Sequence, residues 1–145
     1  MRVNGHERRA RAAVALVVAV VAAGLVVASA SPADNEASAV VSLTLTEWKL
    51  TPTKVTVRPG RISFVVRNAG TMAHEFVVLR SHLHHHTLKV KGGKAVETSR
   101  MGRIPQIPSG TSKRITLKVP AGRYVLLCNM LGHYQAGQYA ALRVR

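Results

Sequence analysis

Pro120-Ala121-Gly122-Arg123-Tyr124-Val125-Leu126-Leu127-Cys128 leads into Asn129-Met130-Leu131-Gly132-His133-Tyr134-Gln135-Ala136-Gly137-Gln138, and the chain then closes on Tyr139-Ala140-Ala141-Leu142-Arg143-Val144. A Pro-x-Gly turn opens a short apolar, β-branched run at residues 124–128. A loop with two glycines follows at 129–137, and a last strand is read at 138–144. Strand, ligand-rich loop, strand is the pattern that decides the reading of the whole chain.

Working outward, the same grammar recurs. Residues 40–48 alternate Val41, Leu43, Leu45 with Ser42, Thr44, Thr46, the period of a half-buried strand. Val55 and Val57 lead into the turn Arg58-Pro59-Gly60. Ile62, Phe64 and Val66 alternate next, and Asn68-Ala69-Gly70 ends that strand. Residues 75–79 read as a further strand. Ile115, Leu117 and Val119 mark another before Pro120. Residues 81–110, rich in His, Lys, Gly and Pro, read as mostly loop with short ordered pieces. Trp48 and Phe64 are expected in the core. About seven to eight short strands with no helical period give an all-β sandwich or barrel.

Composition narrows the class. The chain has 145 residues, 47% of them hydrophobic and only 4% aromatic, so the core is built from Val, Leu, Ile and Ala. The single cysteine, Cys128, excludes an intrachain disulfide framework and a four-cysteine zinc site. Arg2, Arg8, Arg9 and Arg11 precede an unbroken apolar run over residues 12–28, and Ala28-Ser29-Ala30 offers an A-x-A cleavage site. Residues 1–30 are therefore read as a signal peptide cleaved after Ala30, with an uncleaved membrane anchor as the alternative. Residues 31–39 form a tether and 40–145 the folded domain. Either way the domain is expected outside the cytoplasmic membrane, secreted, periplasmic or cell-surface. Removal of the leader leaves 17 basic and 5 acidic residues. That excess is scattered along the chain and does not suit nucleic acid. An acidic or membrane-bound partner protein, or an anionic membrane or cell-wall surface, fits it better, with a merely solvated basic surface as the plain alternative.

The chemistry lies in the loop. Four residues separate Cys128 from His133, and four more separate His133 from Gln138, and Gly132 and Gly137 supply the backbone freedom to turn them toward one point. A thiolate with imidazoles suits copper or zinc. His74, between the 68–73 turn and the strand at 75–79, is placed to add a distant imidazole.

These residues resemble the cupredoxin family of small exported blue-copper proteins. Asn68-Ala69-Gly70-Thr71-Met72-Ala73-His74-Glu75-Phe76 is similar to the family's N-x-G…H-x-F segment. Residues 120–128 are similar to its P-x-G-x-Y…C strand, and residues 128–138 to its ligand loop in the Gly-His-Tyr-x-x-Gly form. The resemblance spans residues 40–144. It implies a Greek-key β-sandwich and one Cu(I)/Cu(II) ion held by His74, Cys128 and His133, with Gln138 where most bacterial relatives have Met. Gln is a known weak axial ligand in such sites, used in the stellacyanin branch of the plant relatives. His133 is expected nearest the surface, edged by Met130, Leu131 and Tyr134. Asn129 and the residue after Asn68 are expected to donate hydrogen bonds near the sulfur. The resemblance implies a monomeric one-electron carrier serving a redox partner protein. The alternatives are a copper-binding or delivery protein without a redox circuit, and a structural β-sandwich with accidental motifs. Enzyme activity is not expected, because protein fills all four metal positions and no carboxylate pair or Ser/His/Asp set is present. His82, His84, His85 and His86 form a second cluster, read as a loose metal site or a solvated loop. Met72, Met101 and Met130 form no run. Residues 89–94 read as a solvated hairpin or loop.

Overall fold

The computed structural model describes residues 39–145. The leader, its cleavage and the tether up to residue 38 lie outside the described residues. Eleven strands follow in chain order: β1 (Ala39–Thr46), β2 (Lys49–Pro52), β3 (Thr56–Val57), β4 (Gly60–Asn68), β5 (His74–Arg80), β6 (Val90–Lys91), β7 (Lys94–Ala95), β8 (Arg100–Ile107), β9 (Ser112–Val119), β10 (Gly122–Leu127) and β11 (Tyr139–Val144). One sheet has the order β2-β1-β4-β9 and the other β3-β11-β10-β5-β8; β6 and β7 form a separate hairpin. The all-β sandwich expected from the sequence is present, with eleven strands against the expected seven to eight; three of them are only two residues long.

The alternating residues do what their period requires. Val41, Leu43 and Leu45 of β1 face inward with Ile62, Phe64 and Val66 of β4, all essentially inaccessible. β1 and β4 run parallel in register Leu43↔Val66 and Leu45↔Asn68. Phe76, Val78, Tyr124, Leu126 and Leu142 close the core from the second sheet. β5 is buried on both faces, which explains its unbroken apolar run. Its outward residues Val77 and Leu79 pack with Val125, Leu127, Ala95 and Tyr134 in a second apolar cluster.

Two expectations are corrected. Residues 81–110 contain the eight-residue strand β8. Gly102 and Pro105 hide it in the sequence. β8 is an edge strand, where a missing N–H is tolerated, and its pairing with β5 slips between His74↔Ile107 and Phe76↔Ile104, beside Pro105. A Cβ on Gly102 would lie 2.7 Å from Leu117 of the facing sheet, so glycine there permits the two sheets to approach. Trp48, expected in the core, is 56% exposed. It sits in the tight turn between Thr46 and its partner Lys49, where no inward position exists. Of the two readings for residues 89–94, hairpin or loop, the hairpin forms, as β6–β7.

The register fixes the two ends of the sandwich. The last residues of β1, β4, β8 and β10 meet the first residues of β5 and β11 at one end: Leu45↔Asn68, His74↔Ile107 and Leu127↔Tyr139. All four metal-ligand candidates belong to that end.

Candidate metal centre

Each ligand candidate is placed by backbone geometry. His74 opens β5 and Cys128 follows the last residue of β10. Residues 129–138 return the chain in tight turns, with His133 N–H to Met130 O, Ala136 N–H to Gly132 O and Gln138 N–H to His133 O. Cys128 N–H donates to Gln138 O at 3.0 Å, closing the loop at its neck. Gly132 (φ 78°) and Gly137 (φ 103°) take left-handed conformations that allow these turns.

The loop brings together residues from opposite parts of the sequence. Cys128 Sγ lies 3.4 Å from His133 Nδ1 and 3.8 Å from His74 Nδ1. The three ligand atoms lie within 4.8 Å of one another and all three residues are buried. A metal–sulfur bond of about 2.3 Å and a metal–nitrogen bond of about 2.0 Å at trigonal to tetrahedral angles require an S···N separation of about 3.5–3.7 Å. The two observed distances bracket that value. Gln138, fully buried, points its Oε1 to within 2.9 Å of His133 Nδ1. Its Nε2 donates to Thr46 O and lies 3.2 Å from His74 Nδ1. One soft sulfur, two imidazole nitrogens and a nearby amide oxygen form the donor set of a blue-copper site, so the residues fit one copper ion.

The electrostatics suit a metal. Burial pushes the Cys128 thiol above its ordinary value, although the Glu75 and Met130 backbone N–H groups pull the other way. Burial and then His133 hold His74 below its ordinary value. Without metal, the site is therefore a neutral thiol beside a neutral imidazole. A cation displaces the thiol proton without first having to displace one from His74.

The surroundings differ from expectation in three places. The donors to the sulfur are Glu75 N–H, at 3.4 Å, and Met130 N–H. Asn129 instead bonds both ways with the backbone of Ala95 and donates to Glu97 Oε1, and Ala69 N–H goes to Leu45 O. Both are turned from the sulfur because they clamp neighbouring segments. Tyr134 is buried, its hydroxyl donating to His85 O and accepting from Leu88 N–H, so it does not edge His133. As expected, His133 is more accessible than His74, 6% against 0%.

The turn between β1 and β2 forms part of the site, and the sequence pattern did not reveal it. Trp48 stacks edgewise on His133 at 5.6 Å between ring centroids. Glu47 accepts from the Thr71 hydroxyl at 2.9 Å and from Thr71 N–H; these bonds lower its carboxyl to about 2. A Cβ on Gly70 would fall 2.6 Å from Glu47 Oε1 and 3.0 Å from His74 Nε2. Glycine is required where carboxylate and imidazole converge. Glu75 is buried and paired with Arg103, whose Nε lies 3.1 Å from Glu75 Oε2. Among the described residues, His82, His84, His85 and His86 form no group of three convergent ligand atoms. Their nearest pairs are His85–His86 at 5.2 Å and the stacked His84–His86 at 5.6 Å.

Asn68 holds the approach to His74. Its amide donates to Met72 O and Ile107 O, both at 2.8 Å, and accepts from Gly70 N–H at 2.9 Å. Asn68→Ala strands these buried groups and is expected to cost about 2–4 kcal/mol. Urea melts of the metal-free chain check this. An unchanged midpoint would mean that the clasp is dispensable.

A cupredoxin-like domain family model matches residues 17–139. No curated protein sequence matches the chain. Among solved structures, dithionite-reduced auracyanin from the photosynthetic bacterium Roseiflexus castenholzii is 24% identical, with TM-score 0.61 over 76% of this chain and 99% of that chain. Rusticyanin from Thiobacillus ferrooxidans is 15% identical, with TM-score 0.56 over 73% of this chain and 77% of that one. Auracyanin A, a blue copper protein from Chloroflexus aurantiacus, is 15% identical, with TM-score 0.52 over 73% and 99%. At these identities the neighbours establish the sandwich, and the family match covers most of the sequence. The chain belongs to the cupredoxin-like family.

Proposed function

We propose that this protein is a one-electron carrier working outside the cytoplasmic membrane, whose single type 1 copper would be held by His74, Cys128 and His133 with Gln138 Oε1 as a weaker fourth donor. The observation that carries the reading is the convergence of a buried sulfur and two Nδ1 atoms with S···N distances of 3.4 and 3.8 Å. When bound, copper supplies the one-electron couple. The chain does the rest. Cys128, His74 and His133 are held by β-sheet ends and a closed loop neck, so the donor set is built before the ion arrives. Burial of all four side chains excludes water, and protein fills every donor position, leaving none for a substrate. The non-enzymatic reading rests on that.

Electrons would leave along His133, the more accessible imidazole. Trp48 lies against its ring and Leu131, in the same loop, is 71% exposed. Two large apolar side chains at this edge suit a brief, weakly held redox partner. Cyclic voltammetry of the copper-loaded chain tests the reading against copper delivery. Reversible waves with fast electron exchange are expected. Irreversible waves together with transfer of the ion to a chelating acceptor would contradict it.

A further inference from the structure

We propose that the outer face of the β10–β11 ribbon docks on an anionic lipid membrane through a groove between that ribbon and the loop after β5. The inference does not rest on the reading of the metal site.

Arg123 and Arg143 are direct partners across β10 and β11, so they project from the same face of the sheet. Like charges placed opposite one another destabilise a strand pair. Arg145 follows two residues on, on that same face. All three are exposed. Within residues 39–145 there are 17 basic side chains and only three acidic ones, Glu47, Glu75 and Glu97. Glu47 is bonded to Thr71, Glu75 to Arg103 and Glu97 to Arg100 and Asn129. Among the described residues, no carboxylate side chain is left for the three arginines. A cation cluster built into paired strands with no side-chain carboxylate bonded to it suits an anion from outside.

The groove is also apolar. It is lined by these arginines together with Val55, Leu83, His84 and His85. Val55 is 59% and Leu83 54% exposed. Guanidinium groups flanked by exposed aliphatic side chains match a lipid surface, which offers phosphate at its headgroups and apolar depth beneath them. A free phosphate would leave the aliphatic residues without a role. The loop is held in shape, with Thr87 N–H donating to His84 O and Tyr134 Oη to His85 O.

Placement supports the same occupant. Arg123 and Cys128 lie five residues apart along one strand and its end, about 16 Å. β1 begins with Ala39 opposite Ile62 near the start of β4. The chain therefore enters the sandwich at the arginine end.

The test uses the full chain with vesicles of phosphatidylcholine alone or with one third phosphatidylglycerol, reading the ratio of the two affinities. The apolar run at residues 12–28 partitions into both, so the ratio isolates the charge effect. Each basic residue near an anionic surface contributes about a factor of five, so R123Q/R143Q/R145Q is expected to lower the ratio about a hundredfold. The control R67Q/K113Q/R114Q removes the same charge from exposed positions at the metal end of the other sheet and is expected to leave the ratio essentially unchanged. Equal losses in both variants would reduce the effect to net charge and overturn the proposal. So would an unchanged ratio in the first variant. Complete release by inorganic phosphate, or by a soluble acidic protein at equal charge concentration, would assign the groove to that ligand and overturn the membrane assignment.

Discussion

Cys128→Ser is expected to abolish the visible absorption of the copper-loaded chain and to weaken copper binding by well over the about 10–100-fold typical of losing an outer hydrogen-bond partner. The sulfur is the only soft donor among the three convergent groups. A serine oxygen at that position remains protonated near neutral pH and leaves two imidazoles and an amide, which hold Cu(II) without the thiolate charge-transfer transition. The fold should survive. Cys128 is fully buried, but Ser is nearly isosteric and its Oγ can accept from Glu75 N–H in place of the sulfur. The stability cost is expected to be about 1–2 kcal/mol. Titration of metal-free wild type and variant with Cu(II), followed by absorption and denaturant melts, separates lost metal from lost fold. A variant that keeps the band would remove Cys128 from the coordination sphere.

Gln138→Met is expected to raise the reduction potential on the order of 100 mV, equivalent to a roughly fiftyfold shift in relative preference for Cu(I) over Cu(II) at about 59 mV per tenfold. The physical basis is hardness. An amide oxygen favours Cu(II), whereas a thioether is soft and favours Cu(I). The position is fully buried, and the Gln138 oxygen already lies beside His133 Nδ1. The same change removes the donor to Thr46 O, so a simultaneous loss of about 1–3 kcal/mol in stability is expected. Voltammetry of both proteins under one set of conditions decides the point. A potential that stays the same or falls would remove Gln138 from the axial role.

The sandwich was legible because its strands obey a single rule. In β1 and β4 one face is buried and the other is not, so the period of two appears in the residues themselves. β5 and β10 remained legible for a different reason. Burial on both faces makes them continuous apolar runs bounded by turns. β8 was not legible. Its glycine serves a close approach to Leu117 and its proline lies at a slip in an edge pairing, and both residues are signals of loop when read locally. The same logic divides the site. His74, Cys128, His133 and Gln138 lie in short segments with a recognisable spacing, and the structure brings all four together. Glu47 and Trp48 have no such spacing. They reach the site only because β1 pairs with β4 in a register that carries the turn after Thr46 over His74 and His133. Asn129 and Tyr134 show the converse. They neighbour ligands in sequence, yet their polar groups are directed to Ala95, Glu97, His85 and Leu88, because the insertion after β5 must be fastened over the outer face of β5 and β10.

In the proposed site one sulfur and two ring nitrogens bind the same copper ion. The most direct measurement is the absorption and electron spin resonance of the Cu(II)-loaded chain. The arrangement around Cys128, His74 and His133 predicts an intense visible sulfur-to-copper band with an unusually small copper hyperfine splitting. A weakly coloured tetragonal Cu(II) signal with ordinary splitting would contradict it.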